Sequence, residues 1–377
     1  MSLRGSDVTI SAIKADVGSI GGHTRPSTAM INLAKGAVTG AINDGLLIDG
    51  DVTYTGDDTA LIMVHQHGEN AAQVHTFASE TFFAMTEVAK EEGLYGAGQD
   101  LLTDAPSGNV RGAGPGAAEI EFTLLPDYRK AESLMIFAAD KCGPGLFNPY
   151  VRDLLTNPDV NAGLLLSPVL QLGFVVRVVD MNPGESRVAV FNLPEDYLKL
   201  AAILRKPDRY AIKSVTSRAH PGEKLMDFTT DRLHNHGGKY IGKDDPLGIC
   251  RNQGIFPAPE EYVRPWQNPR RTTGGARGSS KQYPFPVAIN TAVTGAYCQT
   301  LVTCVGYSLN EFGKLSERAD FFANPVWDYT RNKVLSLGDQ LRMEGFDEGA
   351  IASHEELAYT GLSELDSALE GMFEQTV

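Results

Sequence analysis

Residues 51–65, DVTYTGDDTALIMVH, hold two short β-rich runs, 51–55 and 59–65, joined at Gly56-Asp57-Asp58. Runs of this length separated by a glycine-bearing junction predict two strands that meet at a pair of carboxylates. Upstream, residues 8–15 (VTISAIKA) alternate and are β-rich. From about Ser27 the apolar positions Met30, Leu33, Ala34, Ala37 and Ala41 follow helical spacing until Gly45 interrupts them. Downstream, a second long helical pattern runs from about residue 70 to 92. The order is therefore β-α-β-β-α, and further strands are expected at 118–124, 133–139, 172–179, 187–191, 210–217 and 301–307. Antiparallel or mixed sheets with helices on their outer faces, an α/β (α+β) arrangement, fit this order better than a Rossmann succession.

The chain has 377 residues, 42% of them hydrophobic and 21% charged, which suits a globular protein with a substantial core. Without repeats or a Pro/Ser-rich linker, one domain over residues 8–377 is expected, with residues 1–7 a flexible or extraneous leader. A net charge of −14 disfavours electrostatic attraction to nucleic acid or to an anionic membrane surface. Neither a spanning apolar run nor a secretory leader is visible, and the four cysteines, Cys142, Cys250, Cys298 and Cys304, form no CxxC pair. A cytoplasmic protein with free thiols is the expectation.

The aspartates recur where strands are expected to end. Asp16 closes the first strand, Asp57 and Asp58 occupy a junction, Asp140 closes an apolar strand, and Asp244-Asp245 stand in a glycine-flanked turn. Any one of them alone reads as a turn or cap residue. Adjacent strands lie only ~4.8 Å apart, however, so carboxylates at neighbouring ends would repel unless a cation lay between them. Oxygen donors of this kind suit Mg²⁺, which is usually shared with phosphate oxygens. His23, after Gly21-Gly22, gains interest from Asp16 nearby, whereas the other histidines show no HExxH pattern and do not point to zinc. The glycine-rich segments 108–116 and 272–280 match neither a Walker A loop nor an orthodox GxGxxG and read as loops.

Lys243, in GKYIGKDDP (238–246), carries the most pointed chemical suggestion. An imine-forming lysine must spend time deprotonated, which free carboxylates at Asp244 and Asp245 oppose. If those carboxylates ligate dications, the balance reverses. Tyr240 could then exchange a proton near the imine, against the ordinary reading of a packing tyrosine.

Taken in order, DVGS (16–19) with Gly22-His23, TGDD (55–58), YGAGQDLL (95–102), SGNVRG (107–112), ADK (139–141) and GKYIGKDDP (238–246) resemble the fructose-1,6-bisphosphate aldolase/phosphatase family of archaea and deeply branching bacteria. The resemblance covers about residues 8–362. It implies a four-layer α-β-β-α sandwich assembled as a homo-octamer. It also implies condensation of dihydroxyacetone phosphate with glyceraldehyde 3-phosphate, followed by hydrolysis of the C1 phosphate to give fructose 6-phosphate. On the matched motifs, Asp16, His23, Asp57, Asp58, Gln99, Asp140, Asp244 and Asp245 would hold several Mg²⁺ ions, Lys243 would form the imine and Tyr240 would transfer the proton. His23, Tyr95, Gly108, Asn109, Lys141, Gln253, Arg277 and Tyr359 would contact the sugar phosphate.

Two blocks depart from the family pattern. A Gly-Trp-Met-Arg-Gly-Ser-His block reads Gly274-Gly275-Ala276-Arg277-Gly278-Ser279-Ser280 here, and a Phe-Asp-Gly-Pro element reads Ala296-Tyr297-Cys298-Gln299. These departures keep two alternatives open: a Mg²⁺-dependent sugar phosphatase or aldolase with an altered substrate, and a catalytically silent sugar-phosphate-binding homologue.

Overall fold

The computed structural model describes residues 2–101, 114–124, 132–181, 187–207, 209–229, 231–232, 245–272, 283–294 and 299–343. Chain order begins β1 (Asp7–Asp16), α1 (Thr28–Asn43), β2 (Asp49–Thr55), β3 (Asp58–His65), α2 (Ala72–Glu91), β4 (Gly116–Thr123), β5 (Glu132–Asp140) and α3 (Asn148–Thr156). It continues through α4 (Gly163–Leu166), α5 (Pro168–Gln171), β6 (Phe174–Asp180), β7 (Arg187–Asn192), α6 (Tyr197–Leu204), β8 (Tyr210–Ser217), β9 (Lys224–Phe228) and β10 (Asp231–Arg232). The last elements are β11 (Leu247–Asn252), α7 (Pro259–Val263), β12 (Phe285–Pro286), β13 (Leu301–Leu309), β14 (Ala319–Asp320) and α8 (Asp328–Met343).

Five strands form one sheet in the order β10-β4-β1-β3-β2. Nine form the other, β12-β13-β5-β11-β9-β8-β6-β7, with β14 beside β13. Within the described residues all pairs are antiparallel except β12 with β13.

Strand parity explains the layering, because successive side chains point to opposite faces. On β1, Val8, Ile10 and Ala12 meet Ile62, Ile120, Ile136, Ile249 and Val305 in a core between the two sheets. Ile13 and Ala15 instead join Met30, Ala34, Phe82 and Met85 of α1 and α2 on the outer face of the smaller sheet. On β5, Leu134, Ile136 and Ala138 face the other sheet. Met135, Phe137 and Ala139 face away, with Leu154 of α3, Leu200 of α6 and the two tryptophans, Trp266 and Trp327. The layers are thus α-β-β-α, as the family resemblance implies. Two sheets packed face to face need apolar residues at alternate positions on both, and helices then cover what would otherwise be exposed.

The expected first unit is observed, with Ser27 as the N-cap of α1, its side chain accepting from the Met30 N–H at 3.2 Å. The expected strand at 172–179 begins instead at Phe174, because Gly173 adopts φ +86° and Leu172 is exposed. Residues ahead of β1 are hydrogen-bonded to the body, Leu3 N–H to Glu311 O at 2.7 Å and Gly5 N–H to Leu124 O at 2.8 Å. Among the described residues no helix is long and apolar enough to cross a membrane.

A buried polar chain lies on the helix-facing side of the smaller sheet. The His67 N–H donates to His65 Nδ1 at 3.2 Å, which leaves the His65 proton on Nε2 to be donated to Ser11 Oγ at 2.8 Å. Ser11 passes its own proton toward Glu119 Oε1 at 2.5 Å, and His75 Nε2 meets the same oxygen at 3.1 Å. Burial pushes the His65 imidazole from its ordinary 6.5 down to about 4, against the attraction of Glu119. The unfolded chain therefore binds a proton more readily than the folded one. His65 contributes stability that is complete above pH 6.5 and is lost as pH falls toward 4, about 3 kcal/mol in all. Urea midpoints measured at pH 7.5 and pH 4.5 should differ by less in His65→Gln than in the wild type. An identical pH dependence in both proteins would refute this account of His65.

Candidate functional site

The inter-sheet core runs out at one end of the sandwich, and the aspartates stand where it does. Asp16 continues the Val8-Ile10-Ala12 face of β1 and lies opposite Asp58 in the β1–β3 register. Asp140 continues the Leu134-Ile136-Ala138 face of β5, and Asp245 stands two residues before Leu247 of β11, in the same phase. Alternation thus aims these four side chains into one space from four chain segments. All are buried, as are Asp57 and Asp100.

Hydrogen bonds set the carboxylates. The Asp57 N–H donates to Asp140 Oδ2 at 3.3 Å, the Cys142 N–H to Asp245 Oδ1 at 2.8 Å, and the Asp16 N–H to Asp100 Oδ2 at 2.9 Å. Asp100 belongs to the short 3-10 turn Gln99–Leu101, which brings Gln99 to the same region of the chain. His23 Nδ1 lies 3.1 Å from Asp57 Oδ2, and its ring packs edge-on to Tyr95 with centroids 4.7 Å apart. Tyr95 is held by paired backbone hydrogen bonds with Ser19 at 2.9 and 3.1 Å. Lys141, in the left-handed region at φ +63°, directs its ammonium to Asp57 Oδ1 and to Asp140 Oδ1, the latter at 2.8 Å.

Two lysines, Lys14 and Lys141, are buried among these six aspartates. Burial opposes the ionisation of Asp57, but the Lys141 ammonium and the His23 hydrogen bond hold its carboxyl below the usual range. Burial raises Asp16 well above the usual range, aided by Asp57, Asp58 and Asp100. Burial also raises Asp140, outweighing Lys141. Lys141 is itself held well above the ordinary lysine value by Asp140 and Asp57, against the effect of its burial. The cluster carries more negative charge than its own lysines balance.

The donor set fits a hard cation. Ligand atoms of Asp16, His23 and Asp57 lie within 4.8 Å of one another, as do those of Asp57, Asp58 and Asp140, so Asp57 belongs to both groups. Neither buried oxygen of Asp58 makes a hydrogen bond. Oδ2 has the Lys14 ammonium at 2.9 Å, and Oδ1 has no hydrogen-bond partner among the described residues. A buried carboxylate oxygen left in that state costs several kcal/mol, on the order of 2–7 for an unpaired polar group, unless a cation meets it.

Asp16, His23, Asp57, Asp58, Tyr95, Asp140, Lys141 and Asp245 therefore come together around this end of the sandwich. Gln253 does not join them. It follows β11 at the end opposite Asp245, and the strand separates the two by roughly 25 Å at ~3.3 Å per residue. Gly108, Asn109, Tyr240, Lys243, Asp244, Arg277 and Tyr359 lie outside the described residues. Gln299, last of the altered Ala296-to-Gln299 block, is buried and donates its amide to the Tyr283 carbonyl at 2.7 Å, which leaves it a structural role. Two site residues were missed. Asp100 lies within the matched YGAGQDLL motif, and Lys14 shares the apolar phase of β1, a mismatch the alternation pattern exposes.

Fold and cluster together define a four-layer α-β-β-α protein with a carboxylate cluster at its sheet ends that could hold metal ions. A family model described as fructose-1,6-bisphosphatase matches residues 7–374. The chain is 42% identical to a Thermus thermophilus protein over 97% of its own length and 99% of that relative. It is 40% identical to one from Cenarchaeum symbiosum (93% and 90%) and 38% to one from Thermococcus kodakarensis (98% of each). All three are named fructose-1,6-bisphosphate aldolase/phosphatase. This chain belongs to the fructose-1,6-bisphosphate aldolase/phosphatase family.

Gly56 offers a direct check on the cluster. It turns β2 into β3 at φ +58°, and a Cβ there would overlap the Asp140 carboxylate. Gly45 has φ +78° with open space around it. Gly56→Ala and Gly45→Ala should each lose about 1–2 kcal/mol of stability from the left-handed backbone. Only Gly56→Ala should weaken any divalent-cation binding read by calorimetric titration. Equal metal affinity in the two variants would show that Asp140 does not serve the cation centre.

Proposed function

We propose that the protein is a bifunctional enzyme of gluconeogenic carbohydrate metabolism. It would join dihydroxyacetone phosphate to glyceraldehyde 3-phosphate and then hydrolyse the C1 phosphate of fructose 1,6-bisphosphate. The observation that carries this reading is the convergence of Asp16, Asp57, Asp58, Asp140 and Asp245 on one space, with His23 beside them and Asp58 Oδ1 without a hydrogen-bond partner among the described residues. The family relationship gives that arrangement its substrate class.

In this reading Asp16, His23, Asp57, Asp58, Gln99, Asp140, Asp244 and Asp245 would hold Mg²⁺, which when bound would supply charge neutralisation for the phosphate undergoing transfer. Magnesium is favoured because carboxylate oxygens dominate the donors and no described cysteine lies among them. Lys141 sits at the rim with its side chain 10% exposed, so its ammonium can exchange an aspartate for a substrate phosphate. His23, 35% exposed and packed on Tyr95, closes the solvent side and orients the sugar. The Lys243 amine attacks the ketone carbon of dihydroxyacetone phosphate. Water leaves as the imine forms, and Tyr240 moves the proton that accompanies carbon–carbon bond formation. Gly108, Asn109, Arg277 and Tyr359 complete the sugar-phosphate contacts.

One domain over residues 8–377 is supported by the match to residues 7–374. Assembly as a homo-octamer in the cytoplasm completes the reading, in keeping with buried free thiols at Cys142, Cys250 and Cys304. The family relationship supports small sugar phosphates as partners, and a net charge of −14 disfavours attraction to nucleic acid or an anionic membrane surface.

Lys243→Ala should abolish aldol condensation and borohydride trapping of dihydroxyacetone phosphate, while fructose 1,6-bisphosphatase activity stays within about tenfold of wild type. Equal loss of both activities would make Lys243 structural. Phosphatase activity in a wild-type protein that forms no borohydride adduct would instead support a sugar phosphatase alone.

A further inference from the structure

Lys14 occupies the position on β1 where the inter-sheet face changes from apolar to acidic, between Ala12 and Asp16. Its side chain is 0% exposed, a state lysine almost never adopts without partners. Two of its three N–H donors reach across to the other sheet, one to the Ala139 carbonyl and one to the Asp245 carbonyl at 2.5 Å. Its remaining side faces Asp58 Oδ2 at 2.9 Å. Ala139 precedes Asp140, and Asp245 itself holds φ +56°, pinned by hydrogen bonds exchanged with Cys142. The ammonium is thus fixed by two backbone carbonyls, one of β5 and one of the turn that leads into β11, before it meets a carboxylate of the smaller sheet. Total burial bars it from touching substrate.

We propose that Lys14 is a positioning residue that fixes Asp58, occupying Oδ2 so that Oδ1 is the oxygen offered to a divalent cation. This rests on the metal reading above. Charge and position have opposite signs here, which makes the role measurable. An ammonium acting only as a nearby charge repels a dication, so removing it would tighten metal binding. An ammonium that orients a ligand strengthens binding, and removing it weakens binding, as loss of partners to metal ligands does by about 10–100-fold.

The test is calorimetric titration of the full-length protein with Mn²⁺, with far-ultraviolet circular dichroism and the thermal midpoint read on each sample. Lys14→Met is expected to stay folded and to bind Mn²⁺ at least about tenfold more weakly than wild type. Unchanged or tighter binding would overturn the proposal. Should Lys14→Met fail to fold because it strands the Asp58 charge, the Lys14→Met/Asp58→Asn pair removes both partners and is better tolerated. That pair should bind Mn²⁺ within about twofold of Asp58→Asn alone, since Lys14 would then have nothing left to orient. A further tenfold loss, or a gain, would overturn the role. A wild-type protein that binds no Mn²⁺ would instead overturn the metal reading, and the positioning role with it, whereas normal wild-type binding with unaffected variants sinks the positioning role alone.

Discussion

Electrostatic repulsion among buried carboxylates is the constraint on which the structure depends. Six aspartates are buried around one end of the sandwich with two lysines between them. Unit charges 4 Å apart interact by about 4 kcal/mol at an effective dielectric of 20, so an uncompensated excess there would cost a large part of a typical folding free energy. Burial, with the neighbouring carboxylates adding to it, raises the proton affinity of Asp16 and Asp140. Divalent cations are another way to offset the excess charge, and they use the same oxygens.

The sandwich makes such crowding affordable because the charges occupy the last pleat of an otherwise apolar interface. Val8, Ile10 and Ala12 on one sheet and Leu134, Ile136 and Ala138 on the other bury apolar area over the length of the strands, and only then do Asp16 and Asp140 follow in the same phase. Hydrophobic burial scales with area, at about 25 cal/mol per Å², and the interior pleats supply that area. A one-residue slip of β1 against β3 would swap Asp16 into the helix-covered face and Ala15 into the cluster. The apolar pattern that secures the fold therefore also secures the site.

Much of this was legible in the amino-acid sequence, for definite reasons. The β-α-β-β-α unit was readable because β1 alternates and α1 and α2 carry one-sided apolar patterns. β11 was not, because Leu247–Asn252 is buried on both faces, and its Gly248 and Arg251 break any apolar run. Arg251 is tolerated there by Glu132 and Glu223 and by the rings of Phe122 and Phe256, partners drawn from distant chain segments. Strand-end aspartates were readable as a group. Which of them share a cation was not, since only register brings Asp16 opposite Asp58 and Asp245 beside Cys142. Gln253 was named on the family resemblance alone, and β11 sets it at the end of the strand away from Asp245.

The two buried lysines divide the neutralising work by depth. Lys14 lies one pleat inside the cluster, wholly enclosed, with backbone carbonyls as its fixed partners. Lys141 follows Asp140 at the rim, keeps a tenth of its side chain exposed and, among the described residues, binds its ammonium to carboxylates. An ammonium held by carbonyls cannot leave without orphaning them, whereas one held by carboxylates can yield its place to any cation that binds them better. On the function proposed for this site, the first kind of charge would keep a ligand oriented and the second could turn from protein to substrate. The same strand-end geometry supplies both, because a pleat of one strand separates a residue sealed between sheets from a residue at their edge.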